Sequence, residues 1–165
     1  MASDVRSTHR QSISFVSGSE LVSPILFLDF DGVLHPAGAH SAKFSRLDLL
    51  SVVLREPGMV DVRIVVSSTW REIHSLKALR AFFPADLQPR IIGSTPVLDE
   101  HDTNFHRSEE IEAWLEEHPE VQRWAALDDD IQGFAAHLKH RAVFTDGATG
   151  LTASSIAALR ALFGG

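Results

Sequence analysis

The segment Ile25-Leu26-Phe27-Leu28-Asp29-Phe30-Asp31-Gly32 constrains the fold more than any other stretch of this chain. Four bulky apolar residues in a row suit a strand buried on both faces, as in a parallel sheet covered by helices. The run ends abruptly in two carboxylates one residue apart. Ligands of open α/β sheets bind outside the carboxyl ends of strands, which is where Asp29 falls. Two acids this close repel each other unless a cation or a shared proton relieves them. A hard divalent ion such as Mg2+, which prefers oxygen ligands, is the relief this pattern predicts. A lone Asp-Gly would read as an ordinary solvated turn. Here the pattern of apolar run and then polar cluster returns twice further along.

After Pro24 the chain alternates strand and helix patterns. Strands are expected at Ile25–Leu28, Val62–Val66, Arg90–Ile92, Trp124–Leu127 and Ala142–Phe144. Between them, helical spacing of apolar residues predicts helices over Lys43–Leu54 and Arg71–Phe83, each ended by proline or Pro-Gly. Ser108 is a suitable N-cap for a helix carrying Ile111, Trp114 and Leu115 inward, with Glu109 and Glu110 at its positive end. A helix is also expected around Ile131–Leu138, and Thr152 caps a last one with Ile156, Leu159 and Phe163 on its apolar face. This alternation predicts a Rossmann-like α/β sandwich of three layers, with a mainly parallel sheet between helices.

The chain has 165 residues, 44% of them apolar, which suits one domain with a real core. Residues 24–165 are expected to form it. Residues 1–23 are serine-rich with one apolar patch at Ile13–Val16, and read as a mobile tail with at most an edge strand. They contain no continuous apolar segment of the kind a secretory signal needs. No run approaches the ~20 apolar residues of a membrane helix. With no cysteine, neither disulfides nor a cysteine zinc site can form, which fits a cytoplasmic protein. A net charge of −7 argues against broad nucleic-acid binding through phosphate neutralisation, though not against a local basic pocket.

Three further clusters follow strands or open helices. Ile64-Val65-Val66 delivers Ser67, Ser68 and Thr69 just before a helix, where hydroxyls and free N–H groups either cradle phosphate or simply cap. Arg107 precedes the helix after the third strand and is either a surface cation or a phosphate and carboxylate partner. Trp124-Ala125-Ala126-Leu127 runs into Asp128, Asp129 and Asp130. The first two of these acids could complete a divalent metal site with Asp29, and the third reads as a cap for the next helix.

In content and order these elements resemble the haloacid dehalogenase-like (HAD) superfamily of phosphohydrolases. Asp-Phe-Asp-Gly-Val resembles its first motif, Ser67 its second, a basic residue before a helix its third, and Asp128-Asp129 its fourth. Ser-Ser-Thr-Trp-Arg, Arg-Ser-Glu-Glu-Ile-Glu-Ala-Trp-Leu, Leu-Asp-Asp-Asp and Thr-Gly-Leu-Thr further resemble the small HAD domains of Swiss Army Knife RNA-repair proteins and their stand-alone relatives. One departure stands out. The third motif usually supplies lysine, whereas the best candidate here is Arg107, with Arg71 and Lys77 as alternatives.

The resemblance implies a Mg2+-dependent phosphomonoester hydrolase. Asp29 would attack phosphorus, and Asp31 would serve as acid and then base, a task calling for a raised pKa. Ser67 and Arg107 would hold the phosphoryl oxygens, helped by Ser68, Arg71 and Gly32. Asp29, the Asp31 carbonyl, Asp128 and Asp129 would hold the metal. Thirty-six positions separate Asp31 from Ser67 and forty separate Ser67 from Arg107, too few for an inserted cap domain. The site should therefore be open, bordered by the loops at residues 35–42 and 96–106, with His35, His40, His101 and His106 as rim candidates. Such a site admits bulky substrates, including nucleic-acid ends, as well as small phosphorylated molecules. Two other classes compete. A non-catalytic phosphate-end binding module on the same fold would be marked by loss of Asp29 or Asp31, and both are present. A phospho-accepting receiver domain would place a lysine after the last strand, where this chain has Thr145-Asp146-Gly147.

Overall fold

The structure is a computed structural model that describes residues 22–38 and 40–164. The expectations for residues 1–21 lie outside the described residues. Five parallel strands form one sheet in the order β3-β2-β1-β4-β5. They are β1 (Ile25–Leu28), β2 (Arg63–Val66), β3 (Ile91–Ser94), β4 (Trp124–Asp128) and β5 (Ala142–Phe144). Four α-helices accompany them: α1 (Leu47–Leu54), α2 (Leu76–Ala81), α3 (His106–Glu116) and α4 (Ala153–Phe163). This is the Rossmann-like α/β sandwich read from the sequence.

The double burial of β1 has a simple cause. Leu26 and Leu28 pack into a core built with α1, α2 and α4, while Ile25 and Phe27 pack on the other face with Ile111 and Trp114 of α3 and with Phe134. Phe27 meets Trp114 edge-on at 5.4 Å between ring centroids. Every side chain of β1 is therefore in a core, and a charged substitution anywhere along it would be buried.

Several helix boundaries differ from the expected ones. Helix α1 begins at Leu47 rather than Lys43, because Phe44 takes a left-handed φ of 58° that an α-helix cannot contain. The expected helix Arg71–Phe83 is split into a 3-10 turn at Thr69–Glu72 and the short α2. Ser75 makes the break, its hydroxyl accepting from the Ala78 N–H as a new N-cap. Ile73, inward in a continuous helix, is 79% exposed as a result. Helix α3 starts at His106, so Ser108 is not its cap; the buried Ser108 hydroxyl instead accepts from the Ala135 N–H. Ile131–Leu138 contains only a 3-10 turn at Ile131–Gly133, which Asp130 caps as expected by accepting from Gln132 and Gly133. Arg90 stands before β3 rather than in it. Its buried guanidinium donates to the carbonyls of Leu54, Met59 and Val62, closing the open end of α1.

Candidate active site

Strand register alone brings the acidic and hydroxyl clusters together. Leu28 is paired with both Val66 and Leu127. The ladder then runs one residue past the strands: Asp29 N–H donates to Leu127 O at 3.0 Å and Ser67 N–H to Leu28 O at 2.9 Å. Thr145 N–H likewise donates to Asp128 O at 2.9 Å. Asp29, Ser67 and Asp128 thus stand in one row across the carboxyl edge of the sheet, on backbone that packed strands hold still. Their convergence on one edge is the arrangement expected from the sequence.

Arg107 is no surface residue. It projects from the first turn of α3 and is 5% exposed. Its Nε lies 3.0 Å from Asp128, its Nη1 lies 3.1 Å from Glu110 and donates to Ser67 O, and its Nη2 lies 4.0 Å from Asp29. Glu110 in turn holds Arg71 through a 2.6 Å ion pair. Arg71 spends its remaining donors on the carbonyls of Ser67, Ser68, Thr95 and Pro96. Arg71, expected at the substrate, is therefore engaged within the protein as a strut under the 67–71 turn. Lys77 lies exposed on α2. Of the three candidates for the third motif, Arg107 alone has ion pairs to Asp29 and Asp128 among the described residues.

This buried cluster disfavours negative charge. Burial pushes the Asp29 carboxyl up to about 6; Arg107, the Phe30 N–H and the Ser68 hydroxyl pull against it, and Asp129 adds to the rise. Burial pushes Asp128 up to about 7, with the charge of Asp29 adding to the rise and Arg107 opposing it. Asp129, half-buried, is raised as well, chiefly by burial. Carboxyl oxygens of Asp29, Asp128 and Asp129 all lie within 4.8 Å of one another. Asp128 Oδ2 is buried without a properly aligned hydrogen bond, although Arg107 Nε is close enough to attract it. A set of three hard oxygen donors, one of them unsatisfied, fits a divalent ion such as Mg2+.

Two glycines make room for the third carboxylate. A Cβ on Gly32 would fall 2.1 Å from Asp129 Oδ2, and one on Gly147 2.5 Å from the same atom. Gly32 also needs its left-handed φ of 72°. Its carbonyl accepts from the Thr145 hydroxyl at 2.7 Å, which ties the turn after β1 to the end of β5. The work visible for Gly32 is thus spacing around Asp129.

Asp31 sits in different surroundings. Its Oδ2 accepts from the Trp70 indole N–H at 2.7 Å, and its Oδ1 lies 2.8 Å from His35 Nε2 and 3.5 Å from Lys43 Nζ. Burial, the largest single influence, works to raise its pKa. The Trp70 and His35 hydrogen bonds and the Lys43 charge outweigh it, so the carboxyl lies below its usual value. The raised pKa expected of a general acid is therefore absent from this resting arrangement, because aromatic N–H donors rather than other acids crowd Asp31.

Of the rim histidines, His35 is wholly buried and belongs to the Asp31 site instead. His40 is exposed; His101 bonds Glu109, and His106 lies 3.5 Å from Asp130. Glu110, Lys43 and Trp70 are site residues that the sequence reading did not pick out. For Glu110 a signal existed, since it follows Arg107 by three positions on a helix, the spacing of facing side chains. Between Asp31 and Ser67 stand only a turn, α1 and β2; between Ser67 and Arg107 stand short helices, β3 and a loop. No helix among the described residues is long and apolar enough to cross a membrane.

A family model described as "HAD domain in Swiss Army Knife RNA repair proteins" matches residues 25–156. No curated protein and no solved structure matches the chain.

Proposed function

The chain belongs to the family of HAD domains found in Swiss Army Knife RNA repair proteins, and from that premise we propose that it is a Mg2+-dependent phosphatase acting on phosphomonoesters through an aspartyl-phosphate. The observation that carries this reading is the row at the sheet edge. Asp29, Asp128 and Asp129 are drawn within 4.8 Å of one another, with the Arg107 guanidinium against the first two.

In this reading Asp29, fixed by the ladder to Leu127, attacks phosphorus as a carboxylate nucleophile. Asp128 and Asp129, with Asp29 and the Asp31 carbonyl, would hold Mg2+. When bound, the ion supplies positive charge that offsets the repulsion between the nucleophile and the phosphoryl group. Arg107 and the Ser67–Ser68 turn bind the phosphoryl oxygens as charge shifts on them. Asp31 gives a proton to the leaving oxygen and afterwards takes one from water, freeing Asp29. A phosphoryl group arriving beside Asp31 adds negative charge, which pushes its pKa upward from the depressed resting value.

The short connections on both sides of Ser67 leave the cleft uncapped among the described residues, which supports substrates that extend beyond a single small molecule, such as a phosphorylated nucleic-acid end. A cysteine-free chain with this site suits a reducing cytoplasm. The test is release of inorganic phosphate, with and without Mg2+, from small phosphomonoesters and from oligonucleotides bearing terminal phosphates. It is coupled to trapping of phosphate on Asp29. Absence of metal-dependent release from every substrate would sink the reading.

A further inference from the structure

We propose that His35 and Trp70 form a two-donor clamp that fixes the plane of the Asp31 carboxylate toward the leaving group, making both positioning residues for the proton transfer. The inference rests on the phosphatase reading and goes beyond it.

An aspartate on a turn has two free torsions, and a donor to one oxygen alone leaves the carboxylate plane unfixed. Here each oxygen has its own donor: Trp70 Nε1 at 2.7 Å from Oδ2 and His35 Nε2 at 2.8 Å from Oδ1. Holding both oxygens fixes the plane, and Oδ2 keeps a further lone pair for the reaction, while Lys43 Nζ stands 3.5 Å from Oδ1. Trp70 reaches in from the turn after β2, and His35 from the turn after β1. The clamp therefore joins two loops that depart from neighbouring strands.

His35 is itself held from behind. The Phe44 backbone N–H donates to its Nδ1 at 3.3 Å. A backbone N–H can only donate and an ionised carboxylate can only accept, so Nδ1 accepts and Nε2 carries the ring proton toward Asp31, and the Lys43 Nζ at 3.4 Å from Nε2 makes no bond there. The hydrogen bond thus selects the tautomer that serves the clamp. Phe44 aims that N–H from a φ of 58°, and it is the one non-glycine residue with positive φ among the described residues. A bulky residue keeps such a conformation only where its surroundings enforce it, and these conformations gather at functional sites. The rings of Phe44 and Trp70 stand edge-on to His35 at 5.4 and 5.9 Å, and the imidazole has no exposed surface. A solvent-facing histidine would need none of this.

The test separates positioning from plain structural support by varying the leaving group. An aryl phosphate such as p-nitrophenyl phosphate departs with little need of a proton, whereas an alkyl phosphate such as glycerol phosphate departs with great need of one. His35→Phe keeps the ring and removes the donor; Trp70→Phe does the same from the exposed side; His35→Gln restores an N–H at similar reach. With Mg2+ present, both Phe variants should lose ~30-fold or more in kcat/KM on the alkyl phosphate and no more than ~5-fold on the aryl phosphate, because kcat/KM reports the first transfer, in which the leaving oxygen takes its proton, and general acid catalysis is worth ~100-fold or more. His35→Gln should recover part of the alkyl loss. Equal losses on both substrates, or no loss on either, overturn the clamp. If His35→Phe fails to fold, Trp70→Phe decides by the same criterion. A wild-type protein inactive on both esters and on the phosphorylated oligonucleotides refutes the phosphatase reading itself, which is a separate outcome.

Discussion

Asp29 and Asp31 are two residues apart, carry the same functional group and live in opposite environments. Asp29 belongs to a dry ionic cluster, in which Asp128 and Glu110 compete with it for the Arg107 guanidinium, and burial lifts its pKa to about 6. Asp31 lies in an aromatic corner of Trp70, His35, Phe44 and Lys43, whose donors outweigh burial and depress its pKa. The sheet makes the difference. Asp29 continues the β1 ladder and faces the row of strand ends, while Asp31 has turned out of it toward the loops. One short motif can thus hold two acids of different character, because a single turn hands them to different neighbours.

The sharpest way to break this contrast is to neutralise each aspartate in turn. On the proposed mechanism Asp29→Asn removes the nucleophile, so it should lower turnover by ~10,000-fold or more and leave no phosphate trapped on the protein. It should also raise the melting temperature measured without metal, since it removes a charge that its surroundings disfavour. On the same mechanism Asp31→Asn should lower kcat by ~100-fold to ~10,000-fold and leave Mg2+ binding in place, because it would take away the acid. Its effect on stability should have the opposite sign, a lower melting temperature. Should both variants move stability in the same direction, the two environments are not as different as described.

The Arg107 side can be tested by removing its cation. Arg107→Ala leaves Asp29 and Asp128 without an ion-pair partner among the described residues and Glu110 with Arg71 alone, and breaking a buried ionic group in this way costs about 3–5 kcal/mol. On the proposed mechanism it also removes a transition-state donor and should lower kcat by ~100-fold to ~1,000-fold. Arg107→Lys should keep part of the activity, because one ammonium cannot span Ser67, Glu110, Asp29 and Asp128 together. Lys77→Ala should leave rate and melting temperature close to wild type. Chemical denaturation and steady-state rates on the same preparations check all three.

A smaller effect comes from titration. Asp29 and Asp128 hold their protons more tightly in the folded protein, to about 6 and about 7, than the ordinary 3.8 of an aspartate. From about pH 4 to about pH 7 the native state thus binds more protons than the unfolded chain, and stability from these groups falls as pH rises through that window. In chelator, the melting temperature should decline across it, and Asp128→Asn should flatten the decline. Under the proposed function these carboxylates would bind metal when deprotonated, so added Mg2+ should raise the melting temperature more at about pH 7.5 than at about pH 5.

Much of the scaffold was legible in the sequence because uninterrupted apolar runs such as Ile25–Leu28 leave a strand few alternatives, and the acids at their ends marked the site. Thr152 was equally legible, as it caps α4 with a reciprocal bond to Ser155. The α2 region misled because apolar spacing through Ile73 suggests one helix, whereas Ser75 offers a competing cap and wins. Ser108 misled in the opposite sense: its hydroxyl is taken by Ala135, a partner that only tertiary packing supplies. The clamp on Asp31 was illegible for the same reason, since Trp70 is thirty-nine positions away and Phe44 aims its N–H from a conformation no propensity suggests.

The central position of β1 also bears on how the protein comes into being. The strand that carries Asp29 is made first among the five, yet it is flanked by β2 and β4, and its last rung is the bond from Asp29 to Leu127. Contacts of such sequence separation form late and slow folding. A ribosome-bound chain that has not yet released residue 127 lacks one wall of the cleft and the acids at 128 and 129. The acidic edge is therefore completed only after β4 has left the ribosome, and under the proposed function the appearance of activity would report that the strands flanking β1 have come together.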